Sequence, residues 1–200
     1  KKKVNLKDQV VAQIGTGSSG IQVAPEIAKV VKKLVIFQRT PNYSIPARNK
    51  KLTKEIINNY LKNYKKIKKL IKKTPGGHTF SFPNRSVFDF NKIERDKIFE
   101  KAWFKGSLAF RACFGDITKN LKANEKASNF IKEKILKIVK DKNKAKILTN
   151  FDHPFTSKRP TLNTNYYETF NRKNIELIDL KINPIIKITK KGIKTKNNDF

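Results

Sequence analysis

A glycine triplet set between two apolar runs limits this chain more than any other feature. Gly15-Thr16-Gly17-Ser18-Ser19-Gly20 follows Val10-Val11-Ala12-Gln13-Ile14 and leads into Ile21-Gln22-Val23-Ala24-Pro25-Glu26-Ile27-Ala28. The first run is short and β-branched and reads as a buried strand, whereas the second has helical spacing. Pro25 is expected in the first turn or two of that helix, where a missing N–H costs least. Leu34-Val35-Ile36-Phe37 reads as a second buried strand, which completes a βαβ unit.

In that setting the spacing Gly15-x-Gly17-x-x-Gly20 is the dinucleotide pattern. Gly15 permits the tight turn, Gly17 lets backbone approach a pyrophosphate, and Gly20 lets helix and strand pack closely. The helix N-terminus adds unpaired N–H groups and the positive end of a dipole. Thr16, Ser18 and Ser19 can add hydroxyl donors. The end of the second strand selects between nucleotides. An NAD site keeps Asp or Glu there for the ribose 2′-hydroxyl, but Phe37 is followed by Gln38-Arg39-Thr40. Arg39 can make paired charge-assisted bonds to a 2′-phosphate and Thr40 can add a hydroxyl, which points to NADP. The plainer alternative is a surface arginine beside a strand end.

From about residue 50 the pattern changes to lysine-rich helix. Leu52, Ile56, Tyr60, Tyr64, Ile67 and Ile71 form one apolar stripe, ended by Thr74-Pro75-Gly76-Gly77. A second helix carries Ile93, Ile98, Phe99, Ala102 and Trp103, and a third carries Ala127, Phe130, Ile131, Ile135, Ile138 and Val139. These stripes are expected to pack on one another rather than on a membrane or partner. Strand signals return at Lys146-Ile147-Leu148, Ile175-Glu176-Leu177-Ile178 and Ile185-Ile186-Lys187-Ile188, and Lys190-Lys191-Gly192 reads as a tight turn into Ile193-Lys194-Thr195. The expected fold class is α/β, a Rossmann-like NADP-binding domain with a parallel sheet interrupted by a helical insertion. Residues 1–49 form its first βαβ, 50–144 the insertion and 145–200 the remainder.

The formal charge of +30 raises nucleic-acid binding as a different class of function. The excess is 39 Lys against 7 Arg, spread along the whole chain, whereas nucleic-acid surfaces usually recruit Arg. Compositional drift on solvated faces accounts for it more simply, so no nucleic-acid partner is expected. No apolar run is long enough for a membrane span, and the basic start Lys1-Lys2-Lys3 has no apolar stretch behind it. A single cysteine, Cys113, fits a reducing, cytoplasmic setting and reads as packing. His78 and His153 lack acidic or cysteine partners at metal spacing, so no metal is expected. Lys158-Arg159-Pro160 reads, from its residues alone, as a solvated loop.

Several stretches together resemble the type I Baeyer–Villiger monooxygenases. Ile14-Gly15-Thr16-Gly17-Ser18-Ser19-Gly20-Ile21-Gln22 resembles the family's second glycine motif, and Phe37-Gln38-Arg39-Thr40-Pro41-Asn42-Tyr43 the strand end after it. Ala102-Trp103, Phe114-Gly115-Asp116 and Ala123-Asn124 resemble the family's insertion. His153-Pro154-Phe155-Thr156-Ser157-Lys158-Arg159-Pro160 and Tyr166-Tyr167-Glu168-Thr169-Phe170-Asn171-Arg172 resemble its distal active-site segment. The resemblance implies a two-dinucleotide-domain flavoprotein that uses NADPH, FAD and O₂ to convert a ketone into an ester or lactone. It implies that the glycine-motif residues through Gln22 contact the cofactor. Arg39, Thr40 and Lys158 would hold the 2′-phosphate, and Arg159 would be catalytic, offsetting negative charge beside the flavin and nicotinamide. A flavin monooxygenase acting on amine or sulfide heteroatoms is the neighbouring alternative. The family's FAD glycine motif and the His- and Trp-containing fingerprint are not in this sequence. The chain is therefore expected to be a fragment that binds NADPH weakly at best and does not turn over, with apolar surface exposed where an FAD domain would dock.

Overall fold

The computed structural model describes residues 4–74 and 76–200, so the Lys1-Lys2-Lys3 cluster and Pro75 lie outside the described residues. Strand β1 (Val10–Ile14), helix α1 (Ser18–Ile27) and strand β2 (Lys33–Gln38) form the expected βαβ unit, with β1 and β2 parallel and Ala12 opposite Val35. β2 is buried on both faces from Leu34 onward. β1 is not buried as expected. It is an edge strand of the sheet, and Val10 and Ile14 remain 62% and 55% exposed. Pro25 falls later than expected, as the eighth of ten helical residues. With no N–H to offer Ile21, it weakens the last turn, and α1 ends two residues later.

After β2 the chain forms strand β3 (Ser44–Pro46) and then a run of helices: α2 (Lys54–Lys73), α3 (Lys92–Lys105), α4 (Leu121–Ile138) and α5 (Lys142–Leu148). The first three lie where the apolar stripes predict them. α5 replaces the strand expected at Lys146-Ile147-Leu148. The Asp141 side chain caps it by accepting from the Asn143 and Lys144 amides, and Ala145 and Leu148, three apart, are its buried residues. An apolar pair beside a good cap and helix-forming lysines is too little to make a strand. Strand β4 (Thr161–Asn163) then pairs in parallel with β3, and α6 (Tyr166–Thr169) follows.

Strand β5 (Ile175–Asp179) returns to the sheet beside β2, giving the order β1-β2-β5, all parallel. Asn174 fixes the return: its side-chain amide donates to the carbonyls of Ala28 and Val31, while its own carbonyl accepts from Leu34. Strands β6 (Ile185–Thr189) and β7 (Gly192–Thr195) form an antiparallel hairpin around the expected turn. Val35 and Phe37 pack with Ile193 in a small core on the hairpin side, whereas Leu34 and Ile36 join the main core with α1 and the helices. Alternate side chains of one strand thus hold two layers together, as the period of two requires.

The helices do not all pack as expected. Phe99 and Trp103 of α3 meet Phe130 of α4 at ring distances of 5.1 and 6.2 Å. α2 has no buried residue, and Leu52, Tyr60 and Tyr64 are all more than half exposed. Its stripe is not packed against the others. Among the described residues no helix is long and apolar enough to cross a membrane.

Candidate functional site

The glycine turn joins the C-terminal end of β1 to the start of α1. Gly15 has φ +99°, a conformation that side-chain-bearing residues avoid, and its N–H donates to Phe37 O at 2.9 Å. A Cβ on Gly20 would come within 2.6 Å of Gly15 O, so helix and turn touch through backbone. A Cβ on Gly17 would meet nothing within 4 Å, because the turn opens there onto a cleft. Gly17 also occupies the N-cap with no side-chain cap, leaving the first-turn amides of α1 without intrahelical partners. Open space, free amides and a helix N-terminus are together features that suit an anion.

That cleft, about 430 Å³, is lined by Ile14, Gly15, Thr16 and Gly17 on one side and by Arg39, Thr40, Pro41, Asn42, Lys158 and Leu180 on the other. A second, shallower groove of about 460 Å³ runs along the other side of the turn and takes in Ser18, Ser19 and Gly20. Gln22 is exposed on α1 and borders neither. Thr16 lines the cleft, but its hydroxyl donates to Gln38 Oε1 at 3.3 Å. Gln38 is itself buried and donates to Ile147 O, so this pair ties the turn to β2 and to α5. Sequence reading missed that tie, since a glutamine at a strand end carries no pattern of its own.

Lys158 reaches the cleft from the far end of the helical run. Its loop is stitched to the segment after β2: Asn42 Nδ2 donates to Arg159 O (3.1 Å), the Tyr43 hydroxyl to His153 O (3.2 Å), and Thr161 N to Tyr43 O (3.0 Å). Asn124 of α4 holds the other side, donating to Ile117 O and Phe155 O and accepting from Phe155 N. The buried Asn124 has both ends of its amide used, so α4 positions this loop. Lys158-Arg159-Pro160 is therefore more than a free solvated loop.

Arg159 is exposed and does not line the cleft that Lys158 lines. Its charge is felt instead at His78, where burial first, then Arg111 and Arg159, push the imidazole pKa down. Arg111 contacts His78 and lies over the rings of Phe80 and Phe82 at 5.7 and 5.9 Å. Arg111 thus sits against a histidine whose charged form it disfavours. Asp152 is a second group that sequence reading missed. His153 and then Lys181 donate to it and hold its carboxyl well below the usual carboxylate range. Burial pushes the Cys113 thiol up to about 12, which suits packing rather than chemistry. Among the described residues no group of three His, Cys, Asp or Glu could hold a metal.

No protein-family model matches the chain. It is 40% identical over 200 residues to cyclohexanone 1,2-monooxygenase of Acinetobacter sp, covering 98% of this chain and 36% of that enzyme. It is 36% identical over 199 residues to a Baeyer–Villiger monooxygenase of Pseudooceanicola batsensis, covering 98% and 36%. The chain is similar to Baeyer–Villiger monooxygenases. A steroid monooxygenase solved with NADP superposes at TM-score 0.94 and 36% identity, over 98% of this chain and 38% of that one. A relative of different name, the phenazine N-monooxygenase of Lysobacter antibioticus, is 34% identical over 197 residues. The chain spans little more than a third of the length of these Baeyer–Villiger relatives, 36%.

Proposed function

We propose that this chain is the NADPH-binding part of an FAD-dependent Baeyer–Villiger monooxygenase, which inserts one oxygen of O₂ into a ketone to give an ester or lactone. On this reading the fold is a Rossmann-like NADP-binding domain with its first βαβ at 1–49, a helical insertion at 50–144 and its remainder at 145–200. The observation that carries the reading is the meeting, in one cleft, of a glycine turn with Arg39, Thr40 and a lysine from beyond the insertion. Those residues fit the cofactor: Gly17 leaves room for a pyrophosphate, and the cations stand where an NAD site would keep an acid.

Roles then follow for the site residues. Gly15, Gly17 and Gly20 shape the turn, the amides at Ser18 and Ser19 face the pyrophosphate, and Thr16 braces the turn from below. Gln22, exposed on α1 and outside both grooves, is assigned no cofactor contact. Arg39, Thr40 and Lys158 bind the 2′-phosphate. Arg159 is the catalytic residue: its guanidinium stays protonated and offsets negative charge developing on the substrate oxygen. FAD and NADPH, when bound in the whole enzyme, supply oxygen activation and reducing electrons. The exposed valine and isoleucine side chains of β1 belong to the surface on which the FAD portion docks.

The test is thermal stabilisation of the purified chain by NADPH against NADH. NADPH is expected to stabilise more, and Arg39→Ala to remove the difference. Equal shifts by both nucleotides in the unaltered chain would overturn the reading. The phenazine relative supports a second reading of the reaction, oxygenation of a ring nitrogen, on the same cofactor site. Whole-enzyme product analysis with a ketone and with a nitrogen heteroarene such as phenazine separates the two.

A further inference from the structure

Asp152 puts a carboxylate beside the end of the cleft where an anion is proposed to bind. Alone it would repel a phosphate. It is not alone: Oδ2 accepts from Lys181 Nζ at 2.9 Å and from the Thr40 hydroxyl at 3.4 Å. Oδ1 meets His153 Nδ1 at 2.9 Å and Lys158 Nζ at 4.0 Å. Two of these partners, Thr40 and Lys158, line the cleft directly.

Lys181 arrives by the sheet. Leu180 N donates to Gln38 O at 2.8 Å and its side chain lines the cleft, so Lys181 follows at the point where β5 leaves the sheet beside Arg39. Arg39, Lys158 and Lys181 bring three positive charges against two carboxylates, Asp152 and Asp179, the latter accepting from Lys181 N at 2.9 Å. A positive excess remains there, and it attracts a phosphate monoester, which carries about −1.5 to −2 near neutral pH. An ammonium has three protons, so each lysine can keep Asp152 and still donate to an arriving oxygen.

We propose that Lys181 is a further residue recognising the 2′-phosphate, and that Asp152 is a positioning residue holding Lys181 and Lys158 at the mouth of the cleft. This rests on the NADPH reading above. The benefit is pre-organisation. A long, flexible lysine loses less freedom on binding when a fixed carboxylate already restrains it.

The experiment compares binding of 2′,5′-ADP and 5′-AMP to the full 200-residue chain by titration calorimetry. Lys181→Met is expected to lower the preference for 2′,5′-ADP about fivefold, a modest loss for a partly exposed charge pair, and to leave 5′-AMP affinity unchanged. Lys181→Arg should restore most of the preference. Asp152→Asn should lower it as well, with little further loss when combined with Lys181→Met, because one acts through the other. An unchanged preference in Lys181→Met, with Arg39→Ala abolishing it, overturns this inference and leaves the NADPH reading standing. A higher preference in Asp152→Asn would show the carboxylate only repels, and overturns its positioning role. No preference for 2′,5′-ADP in the unaltered chain sinks the NADPH reading itself, and this inference with it.

Discussion

α2 and α4 are both long, lysine-rich and striped, yet they hold opposite positions in the molecule. α4 has 18 residues and buries Ala123, Asn124, Ala127, Phe130, Ile131 and Ile135. α2 has 20 residues and buries none. The difference lies in what the stripes are made of. Ala123 and Ala127 let α4 come close to its neighbours, Phe130 fills the space between Trp103 and Phe110, and Asn124 pins a distant loop. The α2 stripe offers Tyr60 and Tyr64, rings with polar tips, set among lysines that stay hydrated. α2 stands on local terms instead: the Thr53 hydroxyl accepts from Ile56 N, Glu55 lies in the first turn, and Lys72 and Lys73 lie in the last. Periodicity tells which face of a helix is apolar. It does not tell whether anything covers that face.

Measurements on the two regions would break or sharpen this contrast. Phe130→Ala should cost about 3 kcal/mol in denaturant unfolding, since it empties a buried ring site. A cost below about 1 kcal/mol would mean α4 is held no better than α2. Asn124→Ala should cost about 2 kcal/mol by stranding the Phe155 amide and two carbonyls. It should also speed proteolysis within residues 152–160, which Phe130→Ala at equal stability should not. Cys113, on the packed side, should resist alkylation at pH 8 in the native chain, while a cysteine introduced by Leu61→Cys on α2 reacts freely. The thiol also sets a sign for pH. Its folded pKa is raised, so the stability it carries is full below about 9 and is lost as pH climbs toward about 12, where the unfolded chain has already given up its proton. Tyr64→Ala should change stability by less than about 0.5 kcal/mol. A larger loss would reveal packing on α2 that its exposure does not show.

The same contrast explains how much could be read from the chain. The βαβ unit was legible because Gly15, Gly17 and Gly20 sit between runs whose periods differ, so each neighbour confirms the next. Arg39 and Thr40 were legible because they hold a fixed offset from those glycines. Lys158 was legible only through family resemblance, because its place depends on Asn42, Tyr43 and Asn124, none of which marks a contact partner in its own sequence. Asp152 and Lys181 were not legible at all: they meet across 29 residues without a repeating pattern. The strand read at Lys146-Ile147-Leu148 failed because a cap at Asp141 outweighed a short apolar run. The pairing of β3 with β4, three residues each, is too short for any alternation to register.

Among the described residues β1 pairs only with β2, so its other side presents a row of backbone donors and acceptors next to Val10 and Ile14. Such a rim is a template onto which another strand can zip, including the same rim of a second molecule. The common charge of +30 opposes such pairing, and its reach shrinks to about 8 Å at physiological ionic strength. Solubility of the isolated chain should therefore fall as salt is added, and the precipitate should carry the infrared signature of intermolecular sheet.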